Sequence, residues 1–133
     1  MKTKQYYLVL RDIVSSFITN TPIYYKAGDV YWSVLSEASD TRLEIEASVA
    51  KQLKKEVTQL NKIKAEQERL YAKDLDYRNS QQWRYSRKLD GLAIEERSAK
   101  RRYEQLIYQL TGLEVAISST PVYGHDKIRE RTR

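Results

Sequence analysis

Eight positions between Tyr85 and Leu110 recur at alternating steps of four and three: Tyr85, Leu89, Leu92, Glu96, Ala99, Tyr103, Leu106 and Leu110. Only Glu96 is polar. This is the heptad signature of a helix with one apolar seam, and a seam of that length has to pack along another helix. The stretch before it supplies a candidate: Ile45, Val49, Ala50, Leu53, Val57, Leu60, Ile63 and Leu70 form a second stripe at helical spacing. Thr41 with Glu44 reads as a capping box at its start, and Asn79 with Gln82 as a second box ahead of the next helix. The spacing therefore predicts a long helix from Thr41 to about Lys73, a turn between Asp74 and Ser80, and a second long helix ended by Gly112. Lys62 with Glu66 and Lys64 with Glu68 lace the wet side of the first at i,i+4. Four glycines and two prolines in 133 residues agree with long elements and few turns.

Ahead of these lies an aromatic-rich zone. Tyr6, Val9, Leu10, Ile13, Val14, Phe17 and Ile18 recur at three- and four-residue steps, which predicts an amphipathic helix ended by Pro22. A connector follows, with Gly28 as its turn and Asp29 as N-cap of a short helix from about Val30 to Ala38. The expected fold class is all-α, a helix bundle with an N-terminal helical extension. Its divisions are an arm over 1–40, a core over 41–117 and a short basic tail over 118–133.

The stretch QQWRYSRKLDG, Gln81 to Gly91, interleaves aromatics and cations. Trp83 lies about 200° around the helix from Tyr85, opposite the seam. Near that side lie Arg87, Ile94, Arg97, Arg101 and Tyr108, so the helix has a second face mixing arginines with apolar groups. Such a face suits neighbouring subunits, a polyanion, or both, because guanidinium groups grip phosphate at two points and stack on aromatic rings. The alternative is that Trp83 and Ile94 cap a larger core of the same chain. Arg84, Arg87 and Lys88, and Arg101 with Arg102, are the densest cationic clusters, interrupted by Glu95, Glu96 and Glu104.

The overall balance, 24 Lys and Arg against 18 Asp and Glu, gives a net charge of +6 and favours acidic partners. Without cysteine there are no disulfides, thiolate metal sites or cysteine nucleophiles. The single histidine, His125, offers no metal cluster, and there is no Gly-rich phosphate loop. Neighbouring carboxylates such as Glu95 and Glu96 do not face each other on a helix. No enzyme, cofactor or metal is expected. The apolar run from Tyr6 to Ile18 is too short to span a bilayer, and Arg11-Asp12 spoils it as a signal core, so the N-terminus reads as mature and uncleaved.

The layout of an aromatic N-terminal segment, MKTKQYYLVLRDIVSSFITNTPIYYKAGDVYWSV, before a helical core and a basic tail resembles the major coat proteins of filamentous archaeal viruses, the lipothrixvirus and rudivirus group. The resemblance covers the chain in length and layout and rests on overall character, without a short diagnostic motif. It implies a structural coat protein made in the host cytoplasm and resident in the virion. Two related chains, or two copies of one, would pair, wrap linear double-stranded DNA held in A-form, and build a helical filament, with or without a lipid envelope. It would bring Lys2, Lys4, Arg11 and Lys26 to phosphates with Tyr24 and Tyr25 near the backbone; the cationic clusters of the last long helix add Arg84, Arg87, Lys88, Arg101 and Arg102 as candidate contacts of their own. Subunit contacts would fall on Val9, Ile13, Phe17, Trp32, Trp83, Ile94 and Tyr108. A charge of +6 offsets only roughly three base pairs, so each copy would cover a short stretch without reading bases. The rival expectation is a helical scaffold that pairs with another protein and binds no nucleic acid. A lesser one is a membrane-surface protein using the N-terminal amphipathic segment.

Overall fold

A computed structural model describes residues 3–15, 22–76 and 82–131, with the side chains of 74–86 outside the description. It corrects the all-α expectation. The described part of the first 45 residues holds five strands, β1 (Gln5–Val9), β2 (Ile13–Ser15), β3 (Ile23–Tyr25), β4 (Val30–Ser33) and β5 (Arg42–Ile45). Two long helices follow, α1 (Ala47–Asp76) and α2 (Gln82–Thr111), then a short α3 (His125–Glu130). The fold is mixed α/β, with two sheets and two substantial helices.

β1 is the centre of a three-stranded antiparallel sheet in the order β4-β1-β5, while β2 and β3 form a separate hairpin. Register explains why β1 carries apolar residues without alternation. Leu8 lies opposite both Val30 and Leu43, and Tyr6 opposite Ile45. This face packs on α1 and α2 in one core with Leu53, Val57, Tyr103 and Ile107. The other face presents Tyr7, Val9 and Tyr31, which pack with Tyr25 and Ile128 in a second core. The sheet is the middle layer between the helical pair and a layer made of the β2–β3 hairpin and α3. Both faces are buried, so both sets of side chains are apolar. Each fully buried Val or Leu here contributes about 1.5–3 kcal/mol of transfer free energy.

The helical stripes are recovered in part: Ile45 of the first lies in β5, and in the second Leu89, Leu92, Leu106 and Leu110 are half-buried while Ile107, outside the heptad, is fully buried. Ala50, Leu53, Val57, Leu60, Ile63 and Leu70 are buried on α1, and Ala99 and Tyr103 on α2. The first half of α1 shares a core with the second half of α2, so the two run antiparallel. Glu96, the polar position of the heptad, is ion-paired with Lys100 at 3.0 Å.

The three helix expectations that failed share a cause. The run expected as a helix from Tyr6 to Ile18 forms β1 and β2 over its described part, and the Val30–Ala38 segment forms β4. Thr41 and Glu44 flank or lie in β5 rather than capping α1, where Thr41 C=O accepts the Leu10 N–H. In each case pairing with another strand supplies the backbone hydrogen bonds that a helix would have supplied locally.

Candidate functional site

The described cations divide by whether a carboxylate neutralises them. Arg11 bridges Asp40 at 2.8 Å, Lys26 lies 3.7 Å from Asp12, and Arg42 lies 3.6 Å from Glu37. Lys4 sits over the Trp32 ring at 4.3 Å. By contrast Arg87, Lys88, Arg97, Arg101 and Arg102 are exposed on α2, and none has a carboxylate within ion-pair distance among the described residues. Arg87, Ile94, Arg97, Arg101 and Tyr108 share the side of α2 opposite its buried seam, because successive residues turn by about 100°. From Arg87 to Arg101 this stripe rises about 21 Å at about 1.5 Å per residue.

Ile94 is 62% exposed and Tyr108 55%, large apolar groups set among unpaired guanidinium groups. Two adjoining depressions line the stripe, one bounded by Ile94, Arg97, Ser98 and Arg102, the other by Gln105, Tyr108 and Gln109, with Arg101 between them.

The residues expected from the N-terminal segment are not brought to this face. Val9 is fully buried and Tyr25 nearly so, both inside the second core with Ile13 packed against them. Tyr24 is half-buried and its carbonyl accepts a bond from Arg131. Trp32 remains 41% exposed. Lys2 and Phe17, and the side chains of Trp83 and Arg84, lie outside the described residues. What sequence reasoning missed is the segment after Gly112, where Glu114 to Ser118 alternates exposed and buried; the period-two pattern of Val115 and Ile117 was its signal.

A second cluster lies under the sheet. Tyr31 stacks on Tyr7 at 5.5 Å, and His125 lies 4.5 Å from Tyr31 and 6.4 Å from Tyr25. The Tyr31 hydroxyl donates to Glu37, while the Arg42 guanidinium lies 4.7 Å over Tyr25 with its Nε buried and unbonded among the described residues. Burial, then the nearby Arg129 and Arg42, hold the His125 imidazole below its usual range, against the opposing pull of Glu37 and Asp126. The unfolded chain therefore takes up this proton first as pH falls below about 6.5. The His125 contribution is complete above that pH and is lost with further acidification. Replacing His125 by Phe is expected to flatten stability between pH 7 and 5 relative to the parent, measured by urea midpoints; identical pH profiles would show that His125 does not couple to folding.

Among the described residues no group of His, Asp and Glu is placed to hold a metal ion, and no helix is long and apolar enough to cross a membrane. The fold and site together define a three-layer mixed α/β protein, one layer of which is a helical pair with a cationic outer face. No family model matches the chain, and neither a curated protein nor a solved structure does.

Proposed function

We propose that the chain is a non-enzymatic, sequence-independent binder of double-stranded DNA that contacts phosphates through the outer face of α2. The observation that carries this reading is the arginine stripe Arg87, Arg97 and Arg101, flanked by Arg102, none with a carboxylate partner among the described residues. Of the described arginines elsewhere, Arg11, Arg42, Arg69 and Arg131 are instead held by carboxylates, and the exposed Arg129 of α3 is the exception. A guanidinium with no internal partner can bond phosphate without first breaking an ion pair. The wider role implied by the resemblance, many copies coating a linear duplex as a filament, belongs to the same proposal. Its helical wrapping arm has no counterpart in β1 to β4, so contact is assigned to α2 instead.

The test is binding to random-sequence duplex DNA across a salt series, comparing the parent with a triple variant, Arg97→Glu, Arg101→Glu and Arg102→Glu. Each lost phosphate contact is expected to lower the salt slope by about 1, so the triple variant should lose about 3 and most of its affinity. Equal slopes and affinities for the two proteins would overturn the assignment.

A second reading, a protein scaffold without nucleic acid, is favoured by Ile94 and Tyr108, whose exposure serves an apolar partner better than phosphate. It predicts a small oligomer indifferent to salt and to nuclease.

A further inference from the structure

The excess positive charge of the chain is not spread over its surface. The first half of α1, residues 47–62, shares its core with the second half of α2, residues 97–111. Together these stretches hold eight cations, four on each helix, against two carboxylates, Glu56 and Glu104. The whole excess of six therefore sits on this half of the helical pair, and the rest of the chain balances sixteen cations against sixteen carboxylates. Glu56 and Glu104 are both half-buried, and Glu104 accepts the Ile117 N–H at 2.8 Å. No exposed carboxylate interrupts either stretch, although Glu46 and Glu95 stand just outside them.

Half of this excess lies on α1, away from the arginine stripe. Ala50, Leu53, Val57 and Leu60 are buried. Because successive residues turn by about 100°, Lys51, Lys55 and Lys62 fall within about 40° of one another on the opposite side. All three are exposed, and none has a partner among the described residues. The i,i+4 pair expected between Lys62 and Glu66 does not form; Arg69 bonds Glu66 instead, at 3.0 Å. Lys54, the fourth cation, lies over the Tyr123 ring at 5.1 Å. A helix face kept wet for solubility mixes both signs, as α1 does from Glu66 to Lys73. From Lys51 to Lys62 the outer face carries one sign only.

We infer that the duplex contact extends from α2 onto α1, where Lys51, Lys55 and Lys62 form a second phosphate-binding row. This rests on the duplex-binding reading and widens its footprint from one helix to two. The sheet lies on the buried side of α1, so the row faces away from it. Packed helix axes lie about 8–10 Å apart, between the widths of about 6 and 12 Å of the two grooves of B-form DNA. Rows on neighbouring helices can therefore take phosphates from both strands across one groove. The lysine row rises about 16.5 Å, the length of about five base pairs. A bilayer surface would call for apolar groups to insert, and none of the exposed positions between the lysines, Gln52, Lys54, Thr58 and Gln59, is a large apolar residue.

The experiment compares salt slopes on random-sequence duplex DNA for three full-length proteins with matching circular dichroism spectra. One is the parent. The second carries Lys55→Gln and Lys62→Gln, exposed changes between residues of similar helix propensity. The third carries Lys127→Gln and Arg129→Gln, which remove the same charge from α3, in the layer beyond the sheet. The α1 variant is expected to lose about 2 from the slope of the parent, and the α3 variant none. If the α1 variant matches the parent while the α2 triple variant is defective, the second row is overturned and the α2 contact stands. Equal losses in the α1 and α3 variants would also overturn it, as an effect of net charge alone. A parent that binds no duplex would remove both readings. A parent that instead floats with phosphatidylserine vesicles would do the same and give the face to a lipid surface.

Discussion

Replacing Asp29 by alanine is expected to destabilise the fold by about 3–5 kcal/mol, the range for stranding one partner of a buried ion pair. Asp29 is fully buried. Its carboxylate accepts bonds from the Lys26 N–H at 2.8 Å and the Val122 N–H at 3.0 Å, and from both terminal nitrogens of Arg131 at 2.6 Å. The Arg131 side chain is only 11% exposed. Alanine would leave two amides without acceptors and a guanidinium without its counter-charge, held only by the Tyr24 and Thr120 carbonyls, in a place water scarcely reaches. Urea unfolding of the parent and the variant measures the difference. A loss below about 1 kcal/mol, the worth of an exposed pair, would mean that the clasp is redundant. The double variant Asp29→Ala with Arg131→Met should recover part of the loss, because it removes the stranded charge as well.

A second large effect is expected at Gly28. It occupies the third position of the Lys26–Asp29 turn, closed by the Asp29 N–H donating to the Lys26 carbonyl, with φ at +95. A Cβ there would come within 2.5 Å of Ile117 Cδ1 and 3.0 Å of Tyr103 Cε2. The Tyr103 hydroxyl also donates to the Gly28 carbonyl at 2.5 Å, so the turn and α2 cannot simply separate. Left-handed strain and overpacking add to about 2–4 kcal/mol for Gly28→Ala, read from the same urea curves. Gly91 is the internal comparison. It lies on the exposed side of α2, and a Cβ added there would meet nothing within 4 Å, so Gly91→Ala should not lose stability. If the two variants behaved alike, the packing argument at Gly28 would fail.

The helices were legible in the sequence because each buries a single stripe, and a stripe leaves its period in the order of residues. The N-terminal sheet was not, and the reason lies in β1. Tyr6 and Leu8 face one core while Tyr7 and Val9 face the other, so the run is apolar at every position. A continuous apolar run satisfies a three-and-four spacing as readily as it satisfies a strand. The β-branched and aromatic character of Tyr6, Tyr7, Val9, Ile13, Tyr24, Tyr25 and Tyr31 was the cue to weigh more heavily. The pairing of Tyr7 with Glu44 joins residues far apart in the chain, and local pattern carries no trace of it. At the candidate site, Ile94, Arg97, Arg101 and Tyr108 were recoverable from helix angles alone. The segment from Glu114 to Ser118 was recoverable from its alternation, but not its place beside α2, where Glu104 accepts the Ile117 N–H after the chain turns at Gly112.

The Asp29–Arg131 pair also has a consequence for synthesis on the ribosome. The two residues are separated by 102 positions, with both long helices between them. At about 5–20 residues per second, the carboxylate is made about 5–20 s before the guanidinium that neutralises it. Until then β1, β3 and β4 lack the lid supplied by Ile128 and the second core stays open on one side. The head begun first is therefore the part completed last, and during that interval its exposed strand edges are the segment a chaperone would have to shield.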